Sequence, residues 1–248
     1  MTHSGKRALV TGGSAGLGAA AASWLQANGY AVVVLDRERP DGGGAPADYI
    51  GCDLSSRSEL DAVMADLIAA GPYDLVFLNA GINASGKFEN IAAGAHLDVI
   101  RVNAEAPMVI TARLLEAEAV RSGGSMVFVS SLSHFTGYPG AASYAASKDA
   151  LAIFAKSMRA YAKTRGISLT VAFPGPLRTD HAERHSPQGA DASKRMQPAE
   201  AAQLILADAL AGRKTSIPGA ANRVFATIGR ITPKPVTALT RRLIYSRL

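Results

Sequence analysis

The sequence is short of the residues that make cross-links, metal sites and stacking platforms. Its 248 residues include one cysteine, Cys52, so no internal disulfide can form, and a reducing compartment suits the chain. The five histidines show no ligand spacing such as His-Glu-x-x-His, and no metal is expected. Aromatic residues make up 6% and form no stacking platform, so no nucleic-acid partner is expected. No run of 18 apolar residues occurs, and a membrane-spanning helix is not expected. Met1 to Arg7 lack the apolar stretch of a signal peptide, which predicts a cytoplasmic protein.

What the chain does hold is apolar mass. Hydrophobic residues make up 48% against 19% charged, enough for a sizeable core and against disorder. The net charge of +6 is unevenly placed. Gly219 to Leu248 contain six basic residues (Arg223, Arg230, Lys234, Arg241, Arg242, Arg247) and no acidic one, so the rest of the chain is balanced. The excess belongs to a tail and not to a domain face.

Apolar runs alternate with helical stretches. Lys6–Thr11, Ala31–Asp36, Asp48–Cys52, Asp74–Leu78, Ser125–Ser130, Ser168–Phe173 and Thr215–Pro218 read as strands. Gly16–Asn28, Ser56–Ala70, Asn103–Arg121, Ala142–Thr164 and Pro198–Leu210 read as helices. Ser56 and Glu59 have the spacing of a capping box, and Pro198 suits a first helical position. This order predicts an α/β fold: a single Rossmann-type domain, with a doubly wound parallel sheet and helices on both faces. The domain is expected over 1–218, with 219–248 as its basic, amphipathic C-terminal extension. Asp41–Pro46 (DGGGAP) reads as a surface turn and polar His181–Gln197 as a candidate active-site lid.

Two constellations carry chemistry. Between the first strand and helix stands Thr11-Gly12-Gly13-Ser14-Ala15-Gly16-Leu17-Gly18, a loop whose glycines let the backbone approach a pyrophosphate held at a helix N-terminus. Asp36 closes the next strand, where a carboxylate accepts from the ribose hydroxyls of NAD and repels the 2′-phosphate of NADP. NAD is therefore favoured. Arg37 and Arg39 pull the other way, since a guanidinium pairs with that phosphate, and NADP stays open. The second constellation is Tyr144 and Lys148, four apart on one helical stretch and so one turn apart on a shared face. An ammonium beside a phenol favours the phenolate, which suits a general acid/base near neutrality.

These motifs, with Asn79-Ala80-Gly81, Asn103, Ser131 thirteen positions before Tyr144, and Pro174-Gly175, occur in a characteristic order. The sequence resembles the short-chain dehydrogenase/reductase family from Lys6 to Thr179, and more loosely to Pro218. The resemblance implies an NAD- or NADP-dependent oxidoreductase acting on a small-molecule carbonyl or secondary alcohol, often a dimer or tetramer. It implies that Tyr144 transfers the proton and Ser131 hydrogen-bonds the same oxygen. It implies too that Lys148 lowers the tyrosine pKa and holds the nicotinamide ribose, and that Asn103 supports a water relay to that lysine. On the cofactor side it points to Gly12, Ser14, Gly16, Leu17 and Gly18, with Asp36 and Arg37 at the adenosine ribose. Asp53 and Leu54 stand at the adenine, Asn79, Ala80 and Gly81 flank the adenosine, and Pro174, Gly175, Leu177 and Thr179 reach the carboxamide end.

The sequence also departs from the pattern. Leu78 stands where many members carry an asparagine, and the stretch from Asp36 to Asp53 is short, with the glycine turn in place of a helix. The usual C-terminal ending is absent. A catalytically silent sensor or scaffold of the same fold is the alternative, but such proteins commonly lose the tyrosine or lysine, and both are present here. His134, Phe135 and Tyr138 are expected either to stack on a flat substrate or to pack their own loop. Arg184, Lys194 and Arg195 are either anion ligands or solvated lid charges. In the tail, Val224, Phe225, Ile228 and Ile231, then Leu239, Leu243 and Ile244, have the period of one helical face. Packing on its own subunit is the expectation, with oligomer contact, an anionic membrane surface or an acidic partner as other uses.

Overall fold

The computed structural model describes residues 5–39, 48–185, 191, 193 and 195–232. The first half runs β1 (Lys6–Thr11), α1 (Gly16–Ala27), β2 (Tyr30–Asp36), β3 (Asp48–Gly51), α2 (Arg57–Ala69) and β4 (Tyr73–Leu78). The second half opens with α3 (Ala93–Ile100), a π-helical turn (Arg101–Glu105) and α4 (Ala106–Glu116). It continues through β5 (Val120–Val129), α5 (Ser133–Thr136), α6 (Ala142–Thr164) and β6 (Ser168–Ala172). It closes with α7 (Asp180–Arg184), α8 (Pro198–Leu210), β7 (Thr215–Ser216) and α9 (Ala220–Ile231).

The seven strands form one parallel sheet in the order β3-β2-β1-β4-β5-β6-β7, the doubly wound arrangement that the alternation predicts. Successive side chains of a strand point to opposite faces, so each strand feeds two cores. Ala8 and Val10 of β1 join α1 and α8 on one face, and Leu9 joins α2, α4 and α6 on the other. Alanines 21, 22, 201 and 202 are buried where α1 meets α8, letting the two helices approach closely. Strand order reverses between β1 and β4, and this opens a crevice at their C-terminal ends.

Several boundaries differ from expectation. The helix expected over Asn103–Arg121 starts earlier, at Ala93, passes through the π-turn that carries Asn103, and stops at Glu116. Its end is set by Glu118, at φ 53°, while the N–H of Ala119 closes back on the Leu114 carbonyl at 2.8 Å. Strand β5 consequently begins at Val120, five residues before the apolar run. The capping box forms only in part. Ser56 Oγ accepts from the Glu59 N–H at 3.3 Å, but the Glu59 carboxylate turns to the Asp53 N–H at 2.9 Å. The expected last strand shrinks to Thr215–Ser216.

Helix α9 was expected to pack on its own subunit. It touches the domain through its small residues, with Ala226 and Gly229 buried and Asn222 half-buried, but the apolar set expected to pack, Val224, Phe225, Ile228 and Ile231, faces outward. The Asp41–Pro46 turn, Lys194 of the lid, and Leu239, Leu243 and Ile244 of the tail lie outside the described residues. Among the described residues, no helix is long and apolar enough to cross a membrane, and no cluster of His, Cys, Asp or Glu is placed to hold a metal.

Candidate active site

The crevice above β1 and β4 is floored by the glycine loop. Gly12 and Gly16 hold φ of +67° and +54°, the left-handed region that favours glycine. Gly18 has no room for a side chain, since a Cβ there would stand 1.9 Å from the Gly12 carbonyl oxygen. Helix α1 starts at Gly16 with no side-chain cap and no acid in its first turn, so its free N–H groups and positive dipole end face the crevice. Such a cradle fits a dinucleotide pyrophosphate. Leu17 packs beneath it in the core.

The loop is braced from both sides. The Asn79 side chain donates to the carbonyls of Thr11 (3.2 Å) and Gly12 (3.0 Å), and the N–H groups of Asn79 and Ala80 donate to Thr11 Oγ1. Asn79 thus shapes the loop from behind. On the other side the Ser14 N–H donates to Asp36 Oδ2 at 2.9 Å, and the Ser14 hydroxyl to the Glu38 carbonyl. Asp36 is therefore a fixed carboxylate at the rim and not a loose turn residue. Arg37 reaches Glu38 at 3.4 Å in an exposed pair, and Arg39 lies over the Tyr49 ring. Asp53 accepts from the N–H and hydroxyl of Ser55, and these bonds hold its carboxyl below the ordinary range. Leu54 is buried next to it. Across the crevice, Thr179 caps α7 through Ala182 and stands over Gly16, whose Cβ would lie 3.2 Å from the threonine methyl.

The residues expected to carry proton chemistry come together. Tyr144 sits in the first turn of α6, with Lys148 one turn below it and Ser131 close enough to the phenol to lower its pKa. Lys148 is 4% exposed, and its ammonium donates to the Val129 carbonyl at 2.9 Å. Burial pushes its pKa down to about 8. Asn103, fully buried, exchanges two bonds with the backbone of Ile82 (2.8 and 2.9 Å) and donates to Ser147 Oγ at 3.0 Å. Its amide braces the post-β4 loop against α6. Gly81 lies between them, where a Cβ would stand 3.0 Å from Lys148 Nζ and 3.3 Å from Asn103 Oδ1.

One expectation is corrected. Lys148 was expected to lower the pKa of Tyr144, yet the tyrosine stands above its ordinary value. Burial is the largest cause; Ser131 lowers it and neighbouring Tyr138 raises it. The physical reason is that burial of the phenol outweighs the lowering influences on it.

The decisive finding comes from comparison with known proteins. The family model described as short chain dehydrogenase matches residues 6–189. The chain belongs to the short-chain dehydrogenase/reductase family. It is an NAD(P)-dependent oxidoreductase. The 3-oxoacyl-[acyl-carrier-protein] reductase FabG of Escherichia coli K12 is 30% identical over 188 residues, which cover 73% of this chain and 77% of that protein. A solved short-chain dehydrogenase from Streptomyces avermitilis is 25% identical, with a TM-score of 0.79 over 98% of each chain. Another, from Burkholderia cenocepacia J2315 and solved with NADP, shares the fold at TM-score 0.82 and 22% identity, over 95% of this chain and 97% of its own.

Parts of this dehydrogenase's site were not legible beforehand. His134 and Phe135 do not face a substrate: both rings pack on Phe173 at 4.9 and 5.0 Å, and His134 Nδ1 meets Asp149 Oδ1 at 2.7 Å. Tyr138 does face the site, its ring edge-on to Tyr144 at 6.2 Å and its hydroxyl donating to the His185 carbonyl. Helix α7 brings His181 within electrostatic reach of Lys148, and burial first, then His185, Lys148 and Arg184, push its pKa down to about 4. Arg184 turns its guanidinium to the Asp180 carbonyl at 3.3 Å. Asn222 of α9 fills the space over Gly175, where a Cβ would stand 2.6 Å from the asparagine Oδ1. Nothing in the local sequence marks Asn222, because the contact joins residues 47 positions apart. Leu177 is buried and pairs with Met196, which ties the Pro174–Thr179 loop to the residues before α8.

Proposed function

We propose that Tyr144 is the acid/base of this oxidoreductase, with Ser131 and Lys148 acting on it, and that the enzyme prefers NAD. The bound nicotinamide supplies or accepts the hydride at the substrate carbon. In reduction the Tyr144 O–H bond breaks as the substrate O–H forms, and in oxidation the proton returns to the phenolate. Ser131, beside Tyr144, donates to the same substrate oxygen and stabilises its growing negative charge. Lys148 provides the positive charge that a phenolate requires, and its pKa near 8 lets it exchange a proton near neutrality. The Val129 carbonyl keeps its ammonium in place. The observation that carries this reading is the convergence of Ser131, Tyr144 and the buried Lys148 at the mouth of the glycine-loop crevice.

Asp36 supports the NAD preference, because the Ser14 N–H fixes its carboxylate where a 2′-phosphate would meet negative charge. A homo-oligomer is part of the proposal. Phe88 and Leu97 line an apolar hollow with Ala142 and Ala146 on the outer side of α3 and α6. Residues 219–232 belong to the same domain in this reading, held by Asn222 on Gly175 and by Arg230 over the Phe135 ring.

A panel of ketones, sterols, sugars and 3-oxoacyl thioesters, assayed with NADH and NADPH by cofactor absorbance, tests the reading. Turnover favouring NADH, with a preference that Asp36→Ala relaxes, is the expected result. Turnover favouring NADPH would reverse the cofactor assignment, and none with either cofactor would overturn the reading.

A further inference from the structure

Ser131 lies in a short segment that two hydrogen bonds strap to α6. On one side of it the Ser130 hydroxyl donates to the Lys148 carbonyl at 2.9 Å, in a buried bond. On the other, His134 Nδ1 stands 2.7 Å from Asp149 Oδ1. The two anchors on α6 are consecutive residues, about one turn beyond Tyr144. Between the straps the backbone is tightly wound. The His134 N–H donates to the Ser131 carbonyl at 3.1 Å, and the Ser133 N–H to Ser131 Oγ at 3.2 Å. The second of these bonds uses a lone pair of the serine hydroxyl and leaves its hydrogen to be donated to substrate.

We propose that His134 and Asp149 are positioning residues for the oxidoreduction, their bond setting the Ser131 hydroxyl beside the Tyr144 phenol. This rests on the roles proposed above for Ser131 and Tyr144. Helix α5, four residues long, is too short to hold its own place and needs such a tie. The direction of the His134 ring is fixed. It stacks on Phe173 with centroids 4.9 Å apart and meets Phe135 edge-on at 4.9 Å. Lys156 Nζ approaches its Nε2 at 3.1 Å. An ammonium only donates, so Nε2 accepts and the ring proton sits on Nδ1, facing Asp149. Without this bond Ser131 is strapped to α6 on the Ser130 side alone. A hydroxyl displaced by about 1 Å loses much of its effect on rate, although the fold persists.

Kinetics of Asp149→Ala, Asp149→Asn, Ser131→Ala and the double variant Asp149→Ala, Ser131→Ala test the proposal on a substrate the parent reduces. Asp149 is half-buried on a helix and alanine is a good helix former, so the variants keep the fold. Asp149→Ala should lower kcat and kcat/KM alike by about tenfold, with cofactor affinity unchanged. Asp149→Asn keeps an oxygen that accepts from Nδ1–H, and its kcat should stay within about threefold of the parent. In the Ser131→Ala background the loss caused by Asp149→Ala should disappear, because the strap acts through that hydroxyl. Parent-like kcat in Asp149→Ala, an equal loss in Asp149→Asn, or an undiminished loss in the Ser131→Ala background would overturn this inference alone. Parent-like kcat in Ser131→Ala would overturn the role of Ser131 and this inference with it.

Discussion

Replacing Lys148 by methionine should make the protein more stable near neutral pH while it abolishes the chemistry. The lysine is buried beneath Tyr144, and burial lowers its pKa from 10.5 to about 8. The unfolded chain therefore holds more protons between pH 8 and 10.5, and this residue's contribution makes stability rise with pH across that window. Below pH 8 the full cost of burying the charge is present. It amounts to about 3 kcal/mol at 1.36 kcal/mol per pKa unit. Methionine removes that cost but leaves the Val129 carbonyl without its donor, which gives back about 1–2 kcal/mol. The sharper signature is the pH dependence. Urea titrations of parent and Lys148→Met at pH 7 and pH 9.5 should show the stability difference shifting by about 2 kcal/mol in the parent's favour at the higher pH. Taking the difference cancels other groups, such as Cys52, whose thiol burial pushes up to about 11. An identical difference at both pH values would refute the reasoning, because the lysine would then carry no buried charge.

Two further substitutions probe the cradle. Gly81→Ala should lower the melting temperature, because it crowds two held atoms, Asn103 Oδ1 bonded to Ile82 and the tip of Lys148 bonded to Val129. It should lower kcat/KM roughly tenfold by moving that tip off Val129; unaltered kinetics would show that the lysine position is not critical. Gly18→Ala places a methyl group against the Gly12 carbonyl and should cost about 1–3 kcal/mol of stability as well as cofactor affinity, read by thermal melting and NADH titration. Parent-like values in both would mean that the loop is looser than its geometry.

The sequence made the sheet legible because strands buried on both faces leave continuous apolar runs, and Lys6–Thr11 matches β1 residue for residue. The second half was harder. Helix α3 holds Leu97 and Ile100 outward, so its apolar residues do not form the inward stripe that marks a helix against a core. The Val120–Gly124 part of β5 is polar and glycine-containing, and only its pairing of Val120 with Tyr73 of β4 shows it to be strand. In the site, the glycine loop, Asp36 and the Tyr144–Lys148 pair stood out because each depends on near neighbours in the chain, and Ser131 entered through the family resemblance. The placement of His181 near Lys148, Asn222 over Gly175 and His134 on Phe173 was not, since each joins elements distant in sequence. The pKa of Tyr144 was misjudged for a related reason. Spacing puts a cation one turn away, but it does not show that burial outweighs it.

The most direct measurement is the turnover of Tyr144→Phe on a substrate the parent reduces. The variant keeps the ring and removes only the hydroxyl, so NADH affinity and melting should hold. The rate should fall by about 10²–10⁴-fold, the usual yield of a positioned proton donor. A variant that binds cofactor normally and turns over within threefold of the parent would contradict the assignment of Tyr144 as the acid/base.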